Sequence, residues 1–316
     1  MTQSRRLTQN ILTTTALIAA LIIPCLTAAA DELRIGYQKY GTLTLLKARG
    51  TLEPRLKALG VDVRWTEFPA GPQLLEGLNV GSIDFGTVGE APPIFAQAAG
   101  ADLLYVGNEP ASPLAEAIVV PAQSTIKTVA DLKGKKVVLN KGSNVHYLLV
   151  KALEKAGLQY SDIQTVFLPP ADARAAFERG AVDAWVIWDP FLAAAEKQIG
   201  ARILVDGRGL VSNHQFYLAA RPYAQKHAEV LKAVLDEIDR TDAWGKAHPK
   251  ETSAVLSPLL GLDPTVLDLS VSRFAFGVTP ITDKVAAEQQ KIADVFAGLK
   301  LIPKPIVVAQ ALWHTN

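Results

Sequence analysis

The sequence predicts an α/β protein of two lobes, each an open, largely parallel sheet covered by helices on both faces. Three observations lead there. Short runs rich in β-branched and apolar residues alternate with segments of helical period. The alternation occurs in two series, Leu33 to about Val106 and about Lys136 to Val205. Each series is too small to be the whole protein and large enough for a core of its own. The expected strands are Leu33 to Tyr37, Val61 to Phe68, Ile83 to Val88, Leu103 to Val106, Ala117 to Val120, Lys136 to Leu139, Ile163 to Phe167, Val182 to Ile187, Arg202 to Val205 and Phe216 to Ala219. Between them, helical period marks Leu43 to Leu59, Gly71 to Val80, Ala91 to Ala99, Val145 to Ala156, Ala171 to Arg179 and Pro190 to Gln198.

After Ala220 the pattern turns helical. Pro222 suits a first turn, and Val230, Leu231, Val234, Leu235, Ile238 and Trp244 recur at the spacing of one helix face. Lys232, Asp236, Glu237 and Arg240 fall opposite, so Asp236, Glu237 and Asp239 are expected on a solvated face. Further helices are expected at Glu251 to Leu260, Pro264 to Ser272, Asp283 to Leu299 and Val307 to Trp313.

Composition narrows the function. Of 316 residues 49% are apolar and 20% charged, which excludes disorder, collagen and coiled coil. With 32 Lys plus Arg against 31 acidic residues there is no basic excess to track a nucleic acid backbone. A single Cys and a single Met rule out a disulfide framework, a Cys-rich zinc site or an iron–sulfur cluster within one chain. The start of the chain carries Arg5-Arg6, an apolar run from Ile11 to Leu26, and Ala28-Ala29-Ala30 before Asp31, which reads as an export signal over residues 1–30, cleaved after Ala30. Ser4-Arg5-Arg6-Leu7 leaves general secretion and twin-arginine export both open. The mature chain then holds no cysteine, as suits an oxidising compartment.

The sequence has no GxGxxG, GxxxxGK[ST], GxSxG or HExxH, and its five histidines show no metal-ligand spacing. No cofactor or metal is therefore expected. Four strand ends offer the parts of a cleft. Gly36 to Thr42 places an amide at Gln38 and a capping hydroxyl at Thr42. Gly86 to Glu90 offers Gly89 for close backbone approach and Glu90 at a helix start. Asn140 to His146 gathers Gly142, Ser143, Asn144 and the Val145 N–H before an amphipathic helix, the pattern of an anion site. Trp185 to Pro190 leaves Trp188 and Asp189 at a strand's carboxyl end. His146 and His214 each follow a strand and join the candidates.

The stretches FPAGPQLLEGLNVGSIDFGTVGEAPPIFAQAAGADL from Phe68, IKTVADLKGKKVVLNKGSNVHYLL from Ile126 and PPADARAAFERGAVDAWVIWDPF from Pro169 resemble periplasmic aliphatic sulfonate-binding proteins of ABC importers. The likeness runs from Leu33 to the C-terminal helices, including IVVAQALW at Ile306. Its GxxDxG and DLKGKKV pieces are shared with taurine-, nitrate- and thiamine-precursor-binding relatives, and the longer runs are more specific. The resemblance implies a type II periplasmic binding protein: two open mixed sheets flanked by helices, joined by two hinge strands, with ligand closed between the lobes. Crossings near Val119 and Ala219 would divide the chain into lobe 1 at 31–118 and 220–316 and lobe 2 at 119–219.

The implied role is to capture an organosulfonate in the periplasm and deliver it, as a monomer without catalysis, to a membrane ABC permease and its ATPase. Taurine, nitrate or a thiamine-type precursor is the alternative ligand, and an exported dehydratase on the same fold the alternative activity. A sulfonate offers three acceptor oxygens and no proton, so Gln38, Ser143, Asn144 and the Val145 N–H suit it as donors. Trp188 and Phe216 would cover the alkyl part. Gly89, Glu90, His146, Asp189 and His214 complete the expected ligand-binding set, with Glu90 and Asp189 orienting other groups or meeting an amino substituent.

Overall fold

The structure, a computed structural model, describes residues 31–314, so the expected export segment and its cleavage point lie outside the described residues. The first sheet contains β1 (Asp31–Tyr37), β2 (Val61–Glu67), β3 (Phe85–Gly89), β4 (Leu103–Asn108) and β10 (Gln215–Ala220), in the order β2-β1-β3-β10-β4. The second contains β5 (Glu116–Val120), β6 (Lys136–Leu139), β7 (Gln164–Phe167), β8 (Ala184–Trp188) and β9 (Arg202–Asp206), in the order β7-β6-β8-β5-β9. All ten expected strands are present.

Strand direction follows from how the chain moves between sheets. It leaves the first sheet at the end of β4, crosses through residues 109–115, and enters the second as β5. It leaves again at the end of β9, crosses through 207–214, and returns as β10. A strand that enters from the cleft side must run against strands that end there. β5 is accordingly antiparallel to β8 and β9, and β10 to β3 and β4, whereas β1 is parallel to β2 and β3, and β6 to β7 and β8. Val119 and Ala219, the residues near which the crossings were expected, lie inside β5 and β10, because the apolar runs that mark them belong to strands already paired in their sheets.

The helices are α1 (Gly41–Arg49), α2 (Leu52–Lys57), α3 (Gly71–Asn79), α4 (Pro92–Ala98), α5 (Asn144–Lys155), α6 (Pro170–Glu178), α7 (Phe191–Gln198), α8 (Arg221–Lys226), α9 (Ala228–Ala247), α10 (Pro249–Leu260), α11 (Pro264–Val271) and α12 (Asp283–Gly298). Period two in β10 sends Phe216 and Leu218 to the face shared with α3, α4 and α12, and Tyr217 and Ala219 to the face shared with α1 and α9. The second sheet has its own core, with Val137, Leu139, Leu149, Trp185 and Ile187 fully enclosed. Each such side chain removed from water contributes on the order of 1.5–3 kcal/mol. The C-terminal α11 reaches the second sheet's helices, packing Val266 on Ala193 and Ala194 of α7.

Three expectations change. The helix expected over 43–59 is two helices, because Gly50 adopts the left-handed conformation (φ 61°) and donates to the Leu46 and Lys47 carbonyls. The helix expected over 307–313 is one 3-10 turn at Val308–Ala311. Glu237 of α9 is buried rather than solvated, since Arg55 of α2 approaches it at 3.0 Å and Asp236 at 2.9 Å. No described helix is long and apolar enough to cross a membrane. Gly50→Ala puts a Cβ at a left-handed position, so thermal denaturation should show a loss of about 1 kcal/mol, with secondary structure content kept.

Candidate functional site

The edges where parallel strands end and β5 and β10 begin face each other, so polar groups that flank these strands converge. On the first lobe the extended Tyr40 precedes α1 without capping it. Its hydroxyl donates to Gln215 Oε1 at 2.5 Å, and among the described residues the Gly41, Thr42 and Leu43 N–H groups meet no acceptor. The start of α1 opens on a small cavity of about 30 Å³, tightly closed in this structure. Its other walls are Glu109, Ser112 and Asn213 from the two crossings, Trp188 at the end of β8 with Asp189 just after it, and Phe274 and Phe276 from the segment after α11. One end of this cavity thus presents free backbone donors at the positive end of a helix, and its other walls mix the rings of Trp188, Phe274 and Phe276 with polar Glu109, Ser112, Asp189 and Asn213.

Five carboxyl groups cluster around the crossings. Burial pushes Glu90 up to about 8, against the opposing hydrogen bond from the His214 N–H. Burial and the nearby Asp242 push Glu109 up to about 8, and burial pushes Asp189 and Asp242 up to about 7. Glu116, which is fully enclosed, is raised well above the usual carboxylate range by the same desolvation. Their partners are mostly neutral. Tyr217 donates to Glu109 at 2.6 Å, Thr42 and the Gly277 N–H donate to Asp242, and the Asn144 amide donates to Glu116 at 2.5 Å. Arg273 lies 3.4 Å from Asp189 but holds Glu196 more closely, at 2.7 Å. The Ala193 N–H donates to Asp189, which fixes the carboxyl over the start of α7.

Residues 56–252 match the family model described as NMT1/THI5 like. The aliphatic sulfonates-binding protein of Escherichia coli (strain K12) is 48% identical over 289 residues, covering 91% of this chain and 90% of the relative. The chain belongs to the family of aliphatic sulfonate-binding proteins. Two solved members of this family superpose closely. The alkanesulfonate-binding protein SsuA from Xanthomonas axonopodis pv. citri, bound to MOPS, gives a TM-score of 0.88 at 44% identity, covering 91% of this chain and all of that one. The periplasmic aliphatic sulphonate binding protein SsuA from Escherichia coli gives 0.83 at 48% identity, covering 90% and 93%.

Within this family member the residues expected from sequence separate into groups. Trp188 and Asp189 line the cavity at α1. Glu90, His214 and Phe216 line a second hollow of about 300 Å³, on the opposite side of the 207–214 crossing, together with Tyr147, Ser212, Glu288 and Ile292. Gly89 and Asn144 meet between the lobes: a Cβ on Gly89 would lie 2.8 Å from that of Asn144, so only glycine permits the approach. Gln38, Ser143, Val145 and His146 point elsewhere. Gln38 donates to the Thr87 carbonyl at 3.0 Å and Ser143 to the Asn140 carbonyl at 2.7 Å. Val145 is packed in the second core. His146 accepts from the Gly142 N–H, bonds Tyr160 through its other ring nitrogen, and is held down at about 4 by burial, so it is neutral and fully committed.

The Asn144 amide is committed too, its nitrogen bonding both Glu116 and Asn213. The Gln38, Ser143 and Asn144 side chains are thus committed, whereas the Asn144 and Val145 N–H groups at the start of α5, like those at the start of α1, meet no acceptor among the described residues. Tyr40, Glu109, Glu116, Asn213, Asp242, Arg273, Phe274 and Phe276 were missed. A weak signal existed for Asn213, in the polar step Ser212-Asn213-His214 just before an apolar strand.

Glu90→Gln tests the buried acids. Glu90 binds its proton more tightly folded than unfolded, so its contribution to stability is complete below about pH 4.5 and lost as pH rises toward about 8. The variant should gain on the wild type across that window by up to about 1.4 kcal/mol per pH unit in urea denaturation. Parallel curves from pH 5 to pH 8 would show that Glu90 is ionised in the folded protein.

Proposed function

We propose that this chain is an extracytoplasmic solute-binding protein that captures aliphatic sulfonates between its lobes and delivers them to a membrane ABC permease and its ATPase for sulfur acquisition. It binds without turning its ligand over, acts as a monomer, and reaches the periplasm by way of the export segment at 1–30. The observation that carries this reading is the cavity at α1, where unpaired backbone donors and an aromatic lining share one space. A sulfonate is ionised at every biological pH and needs donors for its three oxygens, which the first turn of α1 supplies. Its alkyl tail needs only apolar contact, and Trp188, Phe274 and Phe276 supply that, each buried methylene contributing about 0.8 kcal/mol whatever the chain length. The names of the relatives agree with this chemistry.

An ionised acidic lining repels an anion. Burial resolves the conflict, because a carboxyl held near 7 or 8 is largely neutral at lower pH and offers an O–H donor rather than a charge. On this reading Glu109 and Asp189 belong to the ligand site, with Trp188 beside them. The two sheets with their helices, on either side of the crossings, are then the lobes of a hinged protein, near the expected division at 31–118 with 220–316 and at 119–219. Ligand touching both favours the closed form by differential contact.

Thermal shift with pentanesulfonate and sulfate at pH 6 and pH 9 tests the reading. Pentanesulfonate at 100 times its dissociation constant should add about 2.7 kcal/mol of stability at pH 6. The same concentration should add less at pH 9, where ionised Glu109 and Asp189 repel it, and sulfate should do little at either pH. Equal stabilisation by the two anions would remove alkyl recognition. A stronger effect at pH 9 would remove the neutral-acid lining.

A further inference from the structure

Helix α5 belongs to two cores at once. Leu148, Leu149, Ala152 and Leu153 enter the core of the second lobe, while Tyr147 and Val150 enter a cluster built by the first lobe around Phe216, Ile292 and Phe296. At the start of α5 the rings interleave. His146 stands 6.1 Å from Phe95 of α4 at an interplanar angle of 22° and 5.6 Å from Phe296 of α12, and Tyr147 meets Phe296 edge-on at 5.9 Å. Phe95 and Phe296 are themselves in edge contact at 4.9 Å. Gly142 lies beside the Phe95 ring, where a Cβ would sit in ordinary contact at 3.4 Å. His146 cannot swing away freely, because the Gly142 N–H and the Tyr160 hydroxyl hold both its ring nitrogens. None of these four rings lines the cavity at α1.

We propose that Phe95 and Phe296 are affinity-determining positioning residues that clasp His146 and Tyr147 across the lobe boundary and so hold the lobes closed around a ligand they do not touch. Apparent affinity equals intrinsic affinity reduced by the fraction of protein already competent to bind. A contact made only by closed lobes raises that fraction and slows ligand escape without altering the site. Phe95 is the better probe because it is half-buried at the boundary, whereas Phe296 is enclosed and its truncation would also hollow the first core.

The affinity arm of the test rests on the sulfonate reading; the scattering arm does not. Phe95→Ala should enlarge the ligand-free radius of gyration in small-angle scattering. It should also weaken pentanesulfonate binding by about threefold to tenfold, the worth of one stacked ring pair. Phe95→Tyr should restore both. A ligand-free curve that superimposes on the wild type overturns the clasp whatever the affinity does, and an expanded curve with unchanged affinity overturns its role in binding. If the wild type itself fails to bind pentanesulfonate, the proposed function falls, and the clasp stands or falls on the scattering of the ligand-free proteins.

Discussion

A chain that leaves one sheet at the carboxyl edge of its strands can enter a second sheet only from the edge that faces the first, and it does so twice here. That constraint reverses β5 in one sheet and β10 in the other, and it makes the line between the lobes the meeting place of strand ends, helix starts and both crossings. Backbone groups at such edges have no ladder partner, so polar side chains gather there to satisfy them. The site is a consequence of the topology, in keeping with the tendency of open α/β sheets to bind ligands at the carboxyl ends of their strands.

The same constraint explains the buried acids. Glu90, Glu109, Glu116 and Asp189 flank the strand ends and crossings, and Asp242 of α9 joins them through Thr42 and the Gly277 N–H. Ionising any of them there costs desolvation that the few nearby donors do not offset, so burial leads the causes of every shift. Neutral carboxyls alter what the cleft can hold, making an acidic composition compatible with an anionic ligand. If Glu109 and Asp189 line the sulfonate site as proposed, affinity and stability share one pH window, because protons that stabilise the ligand-free protein also keep the cleft from repelling a sulfonate.

Strands were legible because composition and length mark them, and all ten appear close to their expected limits. Their direction was not, since an apolar run such as Ala117 to Val120 reads the same either way, and only the crossing decides it. At the site, Trp188 and Asp189 were legible as the end of a strand. The turn from Asn140 to His146 showed correctly that a helix begins there, but a helix start says nothing about which neighbour it faces, and this one meets Gly89 and Phe95. Glu109, Glu116 and Asp242 carried no signal, because one acid among apolar or helical neighbours looks like any surface charge until two lobes close over it. Arg273, Phe274 and Phe276 come from far along the chain, and only tertiary packing brings them to β8.

A crystal structure of the protein with pentanesulfonate bound tests the central claim most directly. The account predicts sulfonate oxygens within hydrogen-bond reach of the first-turn N–H groups of α1, with the tail between Trp188 and Phe276 and Asn144 still against Gly89. Sulfonate found in the hollow beside Tyr147 and Glu288, or on the first turn of α5 with the α1 cavity empty, would contradict it.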